Sequence, residues 1–401
     1  MTVANDRSDT VPGLGRLATA GLCASLIGIG LARFAYTPLI PALIGAAWFT
    51  PAEAAYLGAI NLVGYLAGAL LARPLTARYA PRGVLRAMMA LATIAFFACA
   101  LEFGFAWFTV WRLGAGIAGG VIMVLAAPTI LPHVPAARRG AVSGVIFTGV
   151  GLGIAASGTL VPLLLHAGVV ATWCGLGACA GLLTALAWGG WPAGGPSHRP
   201  RHGLRPAMPR ASPAVRALLI GYGLTAAGLV PHMVFLVDFI ARGLDLGVAV
   251  GARAWIVFGL GAVVGPLLLG RLADRIGFGL ALRLLFALGA VAAALPLFAT
   301  DALALGISSL IAGACTPGSV PLAFGRAQEL TCDPEETRRV WSAATTSFAL
   351  YQAAGAALCA ELFARTGSHL PLFAVGAAAL LLAFVLDVAA ARADARRRAD
   401  A

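Results

Sequence analysis

The chain consists largely of apolar runs that are each long enough to cross a lipid bilayer. An α-helix rises about 1.5 Å per residue, so about 20 apolar residues span a hydrocarbon core about 30 Å thick. Such runs recur along the sequence, in which 60% of the residues are hydrophobic, 11% are charged and the mean hydropathy is +0.90. These values lie outside the range of soluble domains and predict an all-α integral membrane protein.

The apolar runs fall into two sets of six, which predicts twelve transmembrane helices in two halves. Between the sets lies a segment, 192–213, that holds six prolines and four arginines and has the composition of a linker. The expected organisation is an N-terminal segment 1–16, a first half 17–191, the linker 192–213, a second half 214–391 and a tail 392–401. The predicted spans lie at about 17–46, 53–72, 87–104, 106–131, 141–166, 170–191, 215–241, 250–270, 280–299, 302–325, 340–364 and 369–390.

The arginines are distributed unevenly between the two sides of the predicted bundle. All 28 basic residues are arginine, and the net charge of +12 would suggest a nucleic-acid partner in a soluble protein. Counting the connecting segments alternately puts 23 arginines on the side of both termini, 3 on the opposite side and 2 inside spans. This asymmetry predicts that both termini are cytoplasmic. Because the charge is spread over seven separate segments, no nucleic-acid partner is expected.

The lack of lysine excludes two kinds of chemistry. A Walker A loop needs a lysine that reaches the phosphates, and pyridoxal phosphate binds through a lysine Schiff base. No H-E-x-x-H sequence, nucleophile elbow or cysteine and histidine cluster is present either. We therefore expect no enzyme, no cofactor and no metal site, and a driving force that comes from an ion or substrate gradient. A polytopic membrane enzyme or receptor is the alternative from another class.

The first span contains RFAYTPLIPAL, which places Arg33 in the middle of an apolar run. A central arginine costs roughly 2.5 to 3.5 kcal/mol on insertion scales, and such residues usually face the bundle interior. Pro38 and Pro41 each remove a backbone donor, so we expect the helix to be weakened just beyond the charge. The same reasoning predicts a break in the tenth span at Thr316–Pro321.

Arg33 is the expected substrate contact, together with Tyr36 and Thr37 on the adjoining turn. A guanidinium binds carboxylate or phosphate through a fork of donors, so a small organic anion is the preferred substrate class. Other polar side chains at membrane depth, Asn61, Gln328 and Gln352, either line a cavity or bridge helices through hydrogen bonds.

The seventh span is the repeat partner of the first, but it does not repeat the arginine. Aligning the two spans on their prolines puts Ala226 opposite Arg33. The seventh span instead holds His232 and Asp238, two ionisable groups that suit proton coupling. Asp238 has two possible basic partners: Arg242, four residues further along the same span, and Arg33 in the other half.

A loop sequence and a helix sequence relate the chain to a known superfamily. GRLADRIG, Gly270–Gly277, follows the eighth span and resembles the G-x-L-A-D-R-x-G pattern of the major facilitator superfamily. The fourth span holds WRLGAGIAGG, similar to that superfamily's R-x-x-x-G-x-x-x-G pattern through Arg112, Gly116 and Gly120. The two glycines allow neighbouring helices to approach closely. Arg112 either extends outward to solvent or contacts substrate.

The resemblance implies a cytoplasmic gate at the loop after the eighth span. In physical terms the glycines of GRLADRIG allow a tight turn, and a carboxylate can lie against the N-terminal end of a neighbouring helix. The first half keeps Arg78 at the equivalent place but has Ala77 where the aspartate would fall. When the cytoplasmic side is closed, Asp274 is expected near the start of the fifth span and Arg138 or Arg139. The gate residues are Gly270, Asp274, Arg275, Gly277 and Arg78.

Within the superfamily, RFAYTPLIPAL and GLVPHMVFLVDFIARG resemble the YbfB/YjiJ group of bacterial carriers. The resemblance implies a twelve-helix, monomeric transporter of the bacterial inner membrane and supplies no substrate. The expected function is proton-coupled secondary transport of a small organic solute, preferably an anion, by alternating access. The alternative transport function is proton-driven efflux of a hydrophobic compound or drug, with Arg33 serving to pair with Asp238.

Overall fold

The computed structural model describes residues 12–135, 138–193, 212–331 and 333–399. Within these ranges twelve helices are long and apolar enough to cross a membrane, six before and six after the gap at 194–211, which confirms the all-α fold class. Residues 1–11 of the predicted N-terminal segment, most of the predicted linker and the end of the predicted tail lie outside the described residues. The helices are α1 (Leu14–Gly45), α2 (Pro51–Arg78), α3 (Pro81–Ala98), α4 (Gly104–His133), α5 (Arg139–Leu165), α6 (Val169–Ala187), α7 (Pro213–Gly243), α8 (Val248–Ile276), α9 (Phe278–Leu297), α10 (Ala302–Leu330), α11 (Glu335–Thr366) and α12 (Leu370–Ala393).

The outer surface of the bundle is apolar. Large side chains such as Leu182 and Leu303 are 64% and 72% exposed, and similar residues recur on the outside of most helices. A surface of this kind would drive a soluble protein to aggregate, whereas it is the favourable surface against lipid tails. The protein is therefore a multi-pass membrane protein.

Polar caps set where several helices begin. Thr50 and Glu53 form a reciprocal capping box at the start of α2, with the Thr50 hydroxyl accepting from the Glu53 amide at 3.2 Å. Asp301 accepts from the amides of Leu303 and Ala304 at 3.0 and 3.1 Å at the start of α10. These caps satisfy orphan backbone donors, so the acidic residues near the predicted span ends stabilise the helices themselves.

The halves, α1–α6 and α7–α12, meet mainly through three helix pairs, with smaller contacts of α1 with α8 and of α2 with α7. We call the end of the bundle where α1 begins and α2 ends the arginine-rich face, and the opposite end the arginine-poor face. Helices α2 and α11 touch near both faces: the Tyr56 hydroxyl donates to Glu361 at the arginine-poor end, and Arg73 donates to the Ser342 hydroxyl at 2.8 Å at the other. Between α5 and α8 the Trp255 indole donates to the Ser157 hydroxyl at 3.0 Å. The third pair, α1 and α7, forms the candidate site.

Candidate functional site

Helix α1 loses its regular α geometry directly before the predicted substrate contacts. The segment Leu26–Leu31 is a π-helix, residues 32–35 form a turn, and regular α-helix resumes at Tyr36–Gly45. A proline both lacks an amide donor and crowds the carbonyl four residues before it, so Pro38 disturbs the chain at Phe34. The distortion therefore includes Phe34 and Ala35, just beyond the charge as the prolines predict, and it also extends back to Leu26, which the sequence did not predict.

Arg33 lies in this turn with its guanidinium between the two halves. The side chain is half-buried, and Nη2 donates to the Met233 sulfur of α7 at 3.4 Å. Its guanidinium carbon lies 4.9 Å from the centre of the Phe34 ring and 5.4 Å from that of Tyr65. No carboxylate pairs with Arg33 within the described residues. A thioether is a weak acceptor, so most of the hydrogen-bonding capacity of the guanidinium is unused.

Tyr36 and Thr37 are both buried, and both hydroxyls are already bound to backbone. The Tyr36 hydroxyl donates to the carbonyl of Ala54 at 2.9 Å, within the first half. The Thr37 hydroxyl donates to the carbonyl of Met233 at 2.5 Å, across the two halves. In this conformation Tyr36 shapes the wall of the site, and Thr37 joins α1 to α7 on the arginine-poor side of Arg33.

Arg112 does not extend outward from α4. The side chain is 3% exposed, Nη1 donates to the carbonyl of Ala32 at 2.8 Å, and the guanidinium carbon lies 4.1 Å from the centre of the Tyr36 ring. Its own carbonyl accepts from Asn61 of α2 at 3.0 Å. Arg112 therefore binds the backbone of the irregular turn in α1 and supports the loop on which Arg33 lies.

The glycines that follow Arg112 bring α4 against α2. A Cβ atom built on Gly116 would lie 3.0 Å from the Cα of Gly64, closer than side chains tolerate, and one on Gly120 would lie 2.8 Å from the amide nitrogen of Ala69. The glycine spacing in α4 thus permits the close helix approach expected from the sequence. That approach places Asn61 beside the Arg112 carbonyl.

Helix α7 is distorted in the same region as its repeat partner α1. Two π-helical segments, Pro231–Phe235 and Phe239–Gly243, flank the short α-helical segment Leu236–Asp238. The short segment packs against Tyr36–Gly45 of α1. π-Helical turns are rare and concentrate at functional sites, and here they occur at the junction between the halves.

Asp238 is 1% exposed and has two basic partners within the second half. Arg242 donates from Nε and Nη2 to the two carboxylate oxygens at 2.6 and 2.8 Å, and His369 lies 2.8 Å from the second oxygen through Nε2. The sequence reasoning considered Arg242 but missed His369, which precedes α12 and is 131 residues away along the chain. Pairing of Asp238 with Arg33 is wrong for this conformation.

His232 lies in the interior of the second half and forms no hydrogen bond or ion pair with Arg33 or Asp238 within the described residues. It is fully buried, and its Nε2 lies 2.8 Å from the Ser308 hydroxyl. That hydroxyl donates its one hydrogen to the carbonyl of Ala292 at 2.7 Å, so the histidine must be the donor. The other ring nitrogen, Nδ1, has no partner among the described residues. The structure gives His232 a packing role between α7, α9 and α10.

Gln352 of α11 approaches the same sulfur atom as Arg33 from the opposite side of the interface. It is 1% exposed, its Nε2 lies 3.9 Å from the Met233 sulfur, and its Oε1 is buried without a partner in the described part of the chain. This contact joins α11 to α7, as the helix-bridging interpretation predicts, and the cavity interpretation stays a prediction.

The predicted gate residues lie at the arginine-rich face and have no cross-half partner here. Gly277 ends α8 with a φ of +83°, a conformation that favours glycine. Gly270 lies inside α8, so the expectation that it forms the turn is wrong. Asp274, Arg275 and Arg78 are exposed, and Asp274 has no ion pair within the described residues. The contact of Asp274 with the start of α5 was expected for a conformation closed at this face, and it stays a prediction.

Comparison with known proteins gives one family and a common fold. A family model described as an uncharacterised MFS-type transporter, YbfB, matches residues 25–388. A solved structure of a D-xylose-proton symporter is similar with a TM-score of 0.69 at 13% sequence identity, over 93% of this chain and 97% of that chain. At this identity the similarity concerns the fold. A search of curated proteins finds no match.

Proposed function

Because the chain belongs to the family of YbfB-type transporters of the major facilitator superfamily, we propose that it is a secondary transporter that carries a small organic anion between its two halves. Membership of this family indicates that the protein is a transporter. The class of solute, the coupling and the orientation in the membrane are the parts that we propose.

The observation that carries the anion proposal is the unpaired guanidinium of Arg33. It lies at the junction of the halves, is half-buried, and has a thioether as its hydrogen-bond acceptor. Arg112 adds a second buried positive charge one helix away, without a carboxylate partner in the described residues. Charges at membrane depth are retained where they bind something, and a carboxylate or phosphate matches the guanidinium fork.

We further propose that Asp238 couples transport to protons. It is a buried carboxylate, and its segment Leu236–Asp238 packs against α1 of the other half. Protonation of Asp238 would weaken its bonds to Arg242 and His369, and the flanking π-helical turns give α7 a way to change shape. His232, which we also considered for coupling, has no contact with this group or with Arg33. Replacing Asp238 with Asn should make the transport rate nearly independent of pH.

The orientation of the transport cycle is also part of the proposal. We propose the bacterial inner membrane as its location, with both termini and the arginine-rich face in the cytoplasm. The Thr37–Met233 and Tyr56–Glu361 contacts would then close the outer side in this conformation. In the alternating-access cycle the opposite conformation would close the cytoplasmic side through Asp274.

Transport by purified protein in liposomes tests the role of Arg33. The assay would follow uptake of a panel of labelled carboxylates and phosphates. Replacing Arg33 with Ala removes charge-assisted hydrogen bonds of about 1.5 to 3 kcal/mol, so anion transport should fall roughly 10-fold to 150-fold. Arg253→Ala, at an exposed arginine of α8, is the matched control and should transport normally. Wild-type rates in Arg33→Ala would contradict the assignment.

The same panel separates the anion carrier from an exporter of hydrophobic compounds. The rings of Phe34 and Tyr65 and the thioether of Met233 around Arg33 would also suit an apolar substrate. If only uncharged hydrophobic compounds compete, and Arg33→Ala leaves their transport unchanged, the efflux function replaces the anion function.

A further inference from the structure

Met233 occupies a position where its sulfur atom is the common acceptor of two donors from opposite halves. Arg33 donates to it from α1 at 3.4 Å, and Gln352 approaches it from α11 at 3.9 Å. These two distances to one atom put the arginine and glutamine nitrogens within about 7 Å of each other. A thioether sulfur accepts hydrogen bonds weakly, so the hydrogen bonds of both donors to Met233 are weak.

The amide of Gln352 is also incompletely satisfied. The residue is 1% exposed, and Oε1 has no partner within the described residues. A buried amide oxygen without a hydrogen bond destabilises the fold, and native structures retain such groups only for a reason. Whichever way the amide is turned, one of its ends meets the sulfur and the other is unpaired.

On the basis of the proposed anion transport, we propose that Gln352 is a specificity residue that recognises a hydroxyl group on the substrate, and that the Met233 sulfur lies where substrate oxygens bind. The carboxylate would bind Arg33 while the hydroxyl, which both donates and accepts, would satisfy either orientation of the Gln352 amide. The substrate class is therefore a small hydroxylated carboxylate whose two groups are a few bonds apart.

Methionine is suited to this role because of its flexible side chain. It has three rotatable bonds and can leave one packing position for another at little cost. Its backbone carbonyl, which accepts from Thr37, does not need to move with it. Substrate oxygens that replace the sulfur would exchange two weak hydrogen bonds for strong ones, one of them charge-assisted.

Pairs of acids that differ by one hydroxyl test this assignment. Lactate with propionate, and malate with succinate, would be compared as competitors of transport and as stabilisers of the purified protein. Wild-type protein should prefer the hydroxylated member about tenfold, because a site built to bind a hydroxyl leaves polar groups unpaired without it. Gln352→Leu should reduce this preference to about twofold or less while the deoxy acids are still transported. The matched control is Gln328→Leu, at an exposed glutamine of α10, which should keep the preference.

Met233→Leu gives an independent result that does not depend on the folding of the Gln352 variant. Leucine keeps the volume but removes the competing sulfur, so hydroxylated acids should bind about fivefold more tightly. A residue that only packs would weaken binding or leave it unchanged, and that result would overturn the role of Met233.

The outcomes distinguish this inference from the proposed function. If the wild type transports carboxylates without a preference for the hydroxylated member, Gln352 is not a specificity residue and the anion carrier stands. If Gln352→Leu keeps the full preference, the hydroxyl is bound elsewhere and the assignment to Gln352 fails. If no carboxylate is transported at all, the proposed function itself is wrong.

Discussion

Helices α1 and α7 are repeat partners with similar distortions, but their charged side chains differ in sign, in burial and in how completely they are paired. Each contains a π-helical segment, which lies directly before the turn of Arg33 in α1 and against the other half in α7. The cation of α1, Arg33, is half-buried and pairs with a sulfur atom, whereas the anion of α7, Asp238, is 1% exposed and pairs with two basic side chains. The incomplete pairing of Arg33 leaves it able to bind a ligand. The complete pairing of Asp238 stabilises the second half and suits a role in proton coupling.

The largest expected difference between the two helices is in stability. Asp238→Ala would leave Arg242 and His369 without their partner, and breaking a buried pair costs about 3 to 5 kcal/mol. Because the Arg242 side chain is 30% exposed, we expect about 3 kcal/mol, the lower end of that range. Arg33→Ala loses only its contacts with aromatic rings and a sulfur atom, about 1 kcal/mol or less. Unfolding in detergent, followed by circular dichroism, measures both. Equal losses would remove the distinction between a paired and an unpaired charge.

The distinction between these charges was only partly predictable from the sequence. Twelve helices follow from hydropathy because the bilayer demands a span of fixed length and satisfied backbone bonds. Arg33 and Asp238 were identified because an ionisable residue in such a span is conspicuous. His369 was not identified because it lies 131 residues from Asp238 and meets it only through the packing of α12 against α7.

Local irregularities in the helices were the feature of the fold that was hardest to predict from the sequence. The prolines in Thr316–Pro321 suggested a break, but α10 is continuous over Ala302–Leu330. The hydroxyls of Thr316 and Ser319 donate to the carbonyls of Ala312 and Thr316 at 2.8 and 3.0 Å, as polar side chains do around prolines in membrane helices. The prolines mark the irregular regions but not their extent: the π-helical segment of α1 ends at Leu31, well before Pro38, whereas that of α7 begins at Pro231 itself.

The bond between α1 and α7 gives a second, smaller prediction. Thr37→Val keeps the shape of the side chain but removes the hydrogen bond to the Met233 carbonyl, which is worth about 1 kcal/mol. Because this bond joins the halves on the arginine-poor side, the conformation open on that side should become about fivefold more populated. Distances between spin labels placed across that face would measure the shift.

A threonine of α7 provides the control for this substitution. The Thr225 hydroxyl donates to the carbonyl of Gly221 at 2.8 Å within its own helix. Thr225→Val should therefore leave the distances unchanged. If both variants or neither variant change the population, the Thr37 bond does not hold the halves together.

The smallest expected effect concerns two buried histidines of the second half, His232 in α7 and His369 directly before α12. His369 touches the Asp238 carboxylate, which also binds Arg242, whereas His232 donates to Ser308 and touches no charged group within the described residues. His369→Asn should shift the pH at which transport is half-maximal, because it removes one of the two groups that compete with a proton for Asp238. His232→Asn keeps a donor for Ser308 and should leave the pH profile in place. A shift caused by His232→Asn alone would move the coupling path into the interior of the second half, and the contrast between α1 and α7 would then no longer assign coupling to the paired carboxylate.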